Sequence, residues 1–354
     1  MIFTCVDSFS GAGGLSLGLQ RAGFEVLLSF DNDEDCIETQ KKNGKYLGHN
    51  AILADVHELL DNKLLDALSM QRGELFLLVG GPPCQGFSVQ RIGEDNDIRN
   101  DLVSKFIDLV EELLPQYFLM ENVPGITGKR GKIILENATK RANEFGYWIH
   151  KKVLDAQEFG VPQRRKRVFV VGERMDGLLP GFQFPFPESK RHFTVRDAIG
   201  HLPAPPMDGS DHPEIPNHRR DRLTEINKKR IKALKPGQGR DNLPEDLLVE
   251  AHKVSSSVIG HRNVYGRMDW DKVSPTITAR FDSFTRGQFG HPEQTRSISL
   301  REGALLQTFP ADFIFSGNKI EIARQIGNAV PPVLAEALGH QIIQCHQRKI
   351  RDKK

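Results

Sequence analysis

The chain has 354 residues, with 48 Lys and Arg against 46 Asp and Glu, a formal charge of +2. At ~100–200 residues per domain this is two or three domains of chain, and the near-neutral balance excludes a histone-like basic protein. No run approaches the ~18 apolar residues of a membrane span, no secretory leader is expected at Met1-Ile2-Phe3, and the four scattered cysteines (Cys5, Cys36, Cys84, Cys345) exclude a disulfide scaffold or a C-x-x-C zinc site.

The first ~170 residues alternate strand-like and helix-like patterns, as in an α/β sheet. Ile2 to Val6 is an apolar run that reaches Asp7 and the glycine-rich turn Ser8-Phe9-Ser10-Gly11-Ala12-Gly13-Gly14. Leu15, Leu17, Leu19 and Ala22 then predict a helix that stops at Gly23. Glycines at such a turn let the backbone approach a ligand, and a helix N-terminus receives an anionic group. It is not the dinucleotide fingerprint, because Ser16 stands where the third glycine would be. A tight turn or a different nucleotide would suit the same pattern. Val26 to Phe30 predicts the next strand, ending at Asp31, an acid placed to accept from a ribose diol.

Leu75 to Val79 predicts a buried strand running into Gly80-Gly81-Pro82-Pro83-Cys84-Gln85-Gly86-Phe87-Ser88. Two prolines fix φ ahead of the thiol and the flanking glycines permit a mobile loop, which a merely structural cysteine does not require. The other three cysteines read as small apolar fillers. Leu102, Phe106, Leu109, Val110 and Leu113 have helical spacing before Pro115. Tyr117 to Met120 predicts a strand ending at Glu121, parallel to the one before Cys84; a helix-capping or surface glutamate is the alternative for Glu121. Gln163-Arg164-Arg165-Lys166-Arg167 precedes a strand at Val168 to Val171, where alternation sends Arg165 and Arg167 to one face.

After about Gly172 prolines crowd the chain (Pro180, Pro185, Pro187, Pro203, Pro205, Pro206, Pro213, Pro216), and residues 217–240 carry nine Lys and Arg against two Asp and Glu. This loop-rich segment predicts a second domain, about half of whose basic residues are an ordinary solvated surface. The chain turns helical again from Ser299, and Gln325 to Pro332 leads into a last helix before a charged, frayed tail.

Taken in order, these blocks resemble the DNA (cytosine-5)-methyltransferase family. The glycine loop at 7–15 resembles its first motif, Pro82-Pro83-Cys84-Gln85 its nucleophile motif, and Glu121-Asn122-Val123 its glutamate motif. Gln163-x-Arg165-x-Arg167 resembles the arginine motif. Arg301-Glu302 with Gln307-x-Phe309-Pro310 resembles the ninth motif, and Gln325-Ile326-Gly327-Asn328-Ala329-Val330-Pro331-Pro332 the last.

The resemblance implies a Rossmann-like α/β fold for S-adenosylmethionine-dependent methyl transfer, with a smaller, irregular target-recognition domain. The expected division is 1–176 catalytic and cofactor-binding, 177–295 target recognition, and 296–317 a hinge with the ninth motif. A returning C-terminal helix at 318–347 and a tail at 348–354 complete it. It implies S-adenosylmethionine beside Phe9, Gly11, Gly13 and Gly14, with Asp31 on the ribose, Asn32 by the adenine, Asp55 accepting from its amino group, and Val56 also among the cofactor-binding residues. Pro83, Leu102, Asn328 and Val330 would line the pocket. It implies Cys84 as the nucleophile at carbon-6 of cytosine, Glu121 on ring nitrogen 3 and Arg165 on the base carbonyl oxygen.

Base flipping is implied as well, with Gln85 or Ser88 filling the vacated stack, and Arg167, Thr276, Arg280 and Arg286 on DNA. Double-stranded DNA is the expected partner, in the cytoplasm and as a monomer. A restriction endonuclease acting on the same site is left open, and neither a metal nor a membrane is expected. A tRNA-cytosine methyltransferase shares the motifs, but the long basic, Pro-rich middle segment favours duplex DNA. A catalytically silent DNA-binding protein predicts damage at Cys84, Glu121 or the glycine loop, and none is damaged.

Overall fold

The computed structural model describes residues 2–83, 101–177, 179–187, 191–249 and 264–352. The chain divides into two compact units. The first comprises residues 1–159, 166–188 and 330–354; the second comprises 160–165 and 189–329.

In the first unit, β1 (Phe3–Ser8), α1 (Gly14–Arg21), β2 (Phe24–Asp31), α2 (Glu34–Lys42), β3 (Asn50–Leu53), α3 (Lys63–Leu68) and β4 (Leu77–Gly80) follow one another. Then come α4 (Asp101–Leu113), β5 (Tyr117–Asn122), α5 (Lys129–Glu144), β6 (Tyr147–Asp155) and β7 (Lys166–Arg174). The strands form one seven-stranded sheet in the order β3-β2-β1-β4-β5-β7-β6. The first five are parallel; β7 runs antiparallel to both β5 and β6. Every residue of β4 and β5 is buried, as expected for central strands covered on both faces. On α4, Val103, Phe106, Ile107, Val110 and Leu113 repeat at three- and four-residue steps and are all buried, so one stripe of that helix faces the core.

The last helix, α10 (Pro332–Arg351), also belongs to the first unit and packs on α1. Gly18 of α1 makes that packing possible. A Cβ there would stand 2.3 Å from the Pro332 carbonyl oxygen and 2.5 Å from the Ala335 Cβ. The return therefore begins at Val330 rather than at 318, and α10 continues to Arg351, through most of the expected tail.

In the second unit, α6 (Val195–Ile199), α7 (Glu225–Ala233), α8 (Leu300–Leu306) and α9 (Lys319–Asn328) are separated by long irregular stretches. A small apolar cluster of Ile231, Leu234, Leu243 and Phe284 is supplemented by buried arginines. Irregular backbone leaves carbonyls without a ladder partner, and a guanidinium supplies several donors at once. Arg301 donates to the carbonyls of Pro216, Pro310 and Phe313, and Arg267 to those of Ile231 and Pro292. Arg296 forms a bidentate pair with Glu302, both bonds 2.7 Å. Burial pushes Glu302 up, but Arg296 and the Ser299 amide outweigh it and hold the carboxyl at about 2. These bonds place residues 296–329 in the second unit, where the sequence predicts a hinge and the start of the returning helix.

Candidate active site

The carboxyl ends of the parallel strands carry two groups of side chains. At the end of β1 the backbone turns through left-handed conformations at Phe9 (φ 52°), Gly11 (φ 53°) and Gly13 (φ 82°), and α1 starts at the next residue. A left-handed phenylalanine costs of order 1 kcal/mol or more, so the loop must be held by its surroundings. The Ser10 amide and hydroxyl both donate to the Phe30 carbonyl. The Gly11 amide donates to Asp31 Oδ2 at 2.8 Å, and Asp31 Oδ1 accepts from the Asp33 amide at 3.0 Å. Under the loop, buried Asp7 accepts from the Ser16 amide and hydroxyl. Burial raises its pKa to about 7 against the lowering effect of those two bonds.

Where a Cβ would stand at Gly11 there is nothing within 4 Å, so the loop presents open backbone. At the end of β3, Asp55 caps a single 3-10 turn at Val56–Glu58 and accepts from the His57 amide at 3.0 Å and from Asn32 Nδ2 at 3.4 Å. Burial alone would raise the Asp55 carboxyl, but the bonds from His57 and Asn32 lower it. Glycine backbone, the Asp31 carboxylate and the Asn32–Asp55 pair lie at the ends of β1, β2 and β3 in that order. Val56 is buried, and Leu102 and Pro83 are half-buried. The donor and acceptor set suits a ligand with an amino-acid end, a ribose diol and an aminopurine.

The second group lies at the ends of β4 and β5. Asn122 Nδ2 donates to the Pro82 carbonyl at 3.0 Å, tying the loop after β4 to the last residue of β5. Sequence inspection quotes Asn122 within its motif and assigns it no role; the only signal is its place beside Glu121. Glu121 Oε1 lies 2.9 Å from Arg167 Nε, with side-chain exposures of 10% and 13%. Burial pulls the Arg167 guanidinium down while Glu121 holds it up. A Cβ at Gly81 would lie 3.2 Å from Glu121 Oε2, so the glycine leaves that carboxylate room. Cys84 follows Pro83 directly in the sequence; Cys84, Gln85 and Ser88 lie outside the described residues.

The two arginines do not share the face that alternation predicts. Arg165 has no exposed surface, and its guanidinium donates to the carbonyls of Ile277 (3.0 Å), Gly327 (3.0 Å) and Ala329 (2.9 Å) inside the second unit. Its two terminal nitrogens are the donors to these carbonyls. Arg167, expected on DNA, instead stands against Glu121. The reason is local: β7 begins only at Lys166, so two-residue alternation does not extend back to Arg165. Gln163 accepts from the Ile277 amide and donates to Gln307 Oε1, both at 2.8 Å.

The remaining expected residues are dispersed. Thr276 donates its hydroxyl to the Arg164 carbonyl at 2.6 Å, Arg280 pairs with Asp282 at 3.1 Å, and Arg286 is exposed. Val330 is buried in the first unit; Asn328 is exposed at the end of α9 in the second. Within the basic 217–240 stretch, Arg222, Lys228, Lys229, Lys232 and Lys235 are exposed, whereas Arg230 and Arg240 turn inward. No cluster of potential metal ligands occurs among the described residues, and no helix among them is long and apolar enough to cross a membrane.

The family model for C-5 cytosine-specific DNA methylase matches residues 3–344. The type II methylase M.HgiDII of Herpetosiphon aurantiacus is 36% identical over 349 residues, covering 97% of this chain and 95% of that protein. The type II methyltransferase M1.HphI of Haemophilus parahaemolyticus is 36% identical over 348 residues, 97% of this chain and 87% of that one. Among solved structures, a prophage-encoded protein of E. coli, described as a DNA modification methyltransferase, superposes with a TM-score of 0.71 at 29% identity. The match covers 98% of this chain and 99% of that one.

Proposed function

The chain belongs to the C-5 cytosine-specific DNA methylase family and is a DNA (cytosine-5)-methyltransferase; on that premise we propose how its residues divide the work. The methyl donor is S-adenosylmethionine, the target cytosine is flipped out of the duplex, and Cys84 is the nucleophile. The observation that carries this reading is the convergence of Glu121, Arg167 and the Asn122-anchored Gly81–Pro83 loop, immediately before Cys84 in the chain.

Carbon-5 of cytosine is a weak nucleophile. Attack of the Cys84 thiolate on carbon-6 forms a C–S bond and moves the ring's double-bond electrons toward carbon-5. Glu121 holds ring nitrogen 3, where negative charge would otherwise accumulate. Arg167, rather than Arg165, takes the base carbonyl oxygen and orients both the ring and Glu121. Loss of the carbon-5 proton to a base then returns the electron pair to the ring as the thiolate departs.

Glycines 11, 13 and 14 with Phe9 cradle the amino-acid end of the donor, Asp31 takes its ribose, and Asn32, Asp55 and Val56 take its adenine. The open backbone at Gly11 and the two carboxylates at adjacent strand ends support that fit. When bound, the donor supplies the methyl group that carbon-5 receives. Pro83, Leu102 and Val330 complete its surroundings. The exposed lysines and Arg222 of 217–240, together with Thr276, Arg280 and Arg286, contact phosphates and bases, and Gln85 or Ser88 fills the stack. The second unit is the target-recognition domain. The protein acts on duplex DNA in the cytoplasm as a monomer, and the type II names of its relatives favour a restriction endonuclease of the same site as counterpart.

Bisulfite sequencing of plasmid DNA from cells expressing the protein, beside cells expressing Cys84→Ala, tests the reading. Protected cytosines in one short motif, absent with the variant, are expected. Equal protection with Cys84→Ala removes Cys84 from the mechanism, and methylated tRNA with unprotected plasmid moves the substrate to RNA.

A further inference from the structure

We infer that Gln40 is a positioning residue for the glycine loop: its carboxamide, aimed by Ser29 and His49, holds the Gly11 peptide in the conformation that receives the methyl donor. The inference rests on the cofactor reading above. Gln40 lies on the inner face of α2 and is 1% exposed. A leucine would fill such a position without polar cost, whereas a buried carboxamide is tolerated only when its hydrogen bonds are made. Here all four are present. Oε1 accepts from the Ser29 hydroxyl at 2.7 Å and faces His49 Nε2 at 3.2 Å; Nε2 donates to Ser10 Oγ and to the Gly11 carbonyl, both at 2.8 Å.

The direction of the amide follows from its neighbours. The Ser29 proton is spent on Gln40 Oε1, so His49 Nε2, 2.9 Å from Ser29 Oγ, must itself be a donor. Burial lowers the His49 pKa to about 4, which keeps the ring neutral with a single N–H at pH 7. Oε1 thus faces the Ser29 hydroxyl and the one His49 N–H, shared with Ser29 Oγ, and the NH2 end is left pointing at the loop. The Gly11 peptide is gripped at both ends, its N–H by Asp31 and its C=O by Gln40. The Gln40 stem also fills the space behind Gly13, where a Cβ would come within 3.3 Å of Gln40 Cγ. None of these groups touches the open side of Gly11, so the network shapes the cradle without occupying it.

The test uses the full chain with Gln40→Met, which keeps the length of the side chain and removes its hydrogen bonds, and Ser29→Ala, which removes one aiming donor. Calorimetric Kd for S-adenosylmethionine and S-adenosylhomocysteine, thermal midpoint, duplex affinity without cofactor, and steady-state KM and kcat are measured. Gln40→Met is expected to weaken both cofactor ligands by about tenfold or more, the equivalent of one or two lost buried hydrogen bonds. KM for the donor rises in parallel, while kcat at saturating donor and duplex affinity stay within about twofold of wild type. Ser29→Ala is expected to weaken both ligands by roughly two- to fivefold.

A folded Gln40→Met that binds the donor as wild type does, or that loses kcat with KM unchanged, overturns the inference. If Gln40→Met does not fold, Ser29→Ala decides, and an unchanged Kd there overturns it. A wild-type protein that binds neither ligand overturns the cofactor reading and this inference with it; a binding wild type with an equally binding Gln40→Met overturns this one alone.

Discussion

Replacing Arg165 and Arg167 separately by methionine should separate stability from chemistry, although the residues are two apart in one motif. Arg165→Met removes charge-assisted bonds to the carbonyls of Ile277, Gly327, Asn328 and Ala329, of which Ala329 keeps Gln307 Nε2 as a second donor. At ~1–3 kcal/mol per orphaned acceptor, partly relieved by relaxation, the loss is about 3–5 kcal/mol. For a chain of this size that lowers the thermal midpoint by roughly 4–7 °C.

Arg167→Met removes one ion pair whose partners are only 10% and 13% exposed and leaves the Glu121 carboxylate without it, so it also costs stability, about 3 kcal/mol. It also removes the donor proposed for the base oxygen and for orienting Glu121. Losing one preorganised donor in such a site costs about 100- to 1,000-fold in rate. Scanning fluorimetry gives the midpoints, and single-turnover transfer of a tritiated methyl group to duplex DNA gives the rates. A stable Arg167→Met with turnover within threefold of wild type would refute the assignment. So would a stable Arg165→Met that had lost only its chemistry.

Other outcomes follow from the same geometry. Asp7 titrates at about 7 in the fold against 3.8 in its absence, so it favours folding below pH 3.8 and progressively less as pH rises toward 7. Asp7→Asn should therefore flatten the stability profile between those values and gain no more than about 4 kcal/mol at pH 8, measured by urea unfolding; a profile parallel to wild type would exclude Asp7 as the titrating group. Asn122→Ala should cost ~1–2 kcal/mol and lower kcat more than it raises the donor KM, since it frees the Pro82 carbonyl; an unchanged kcat would show that this tether does not serve the chemistry. Gly18→Ala should drive Pro332 and Ala335 away from α1 at a cost of ~1–3 kcal/mol, and normal stability would mean that α10 shifts freely. Exchanging residues 189–329 with those of a relative should change the methylated sequence in bisulfite reads, whereas an unchanged site would locate recognition elsewhere.

The central strands and α4 were legible because burial on both sides of a parallel strand demands a continuous apolar run and a helix stripe demands three- and four-residue steps. β6 was not legible: Tyr147–Asp155 is an edge strand with Lys151, Lys152 and Val153 exposed, so it carries no two-residue pattern. Four-residue β3, at the other edge, gave as little. The Arg165 placement was beyond reach because the partners of its guanidinium are backbone carbonyls more than 110 residues downstream, and backbone leaves no trace in side-chain pattern. The Gln40 network was missed for a related cause: Ser29, Gln40 and His49 are unremarkable polar residues until β2 and α2 bring them together.

The packing of α10 against Gly18 has a consequence for the order of events during synthesis. The earliest-made strand and helix of the first unit are completed by a helix made last, after the whole of the second unit has emerged. A ribosome stalled anywhere before residue 330 holds a glycine loop whose supporting helix lacks its cover. Vectorial folding would thus finish the second unit first, and competence to bind the methyl donor would arise only once residues 330–351 have emerged. Joining residues 330–352 ahead of residue 2 in a circular permutant would reverse that sequence, letting the first unit close before the second exists.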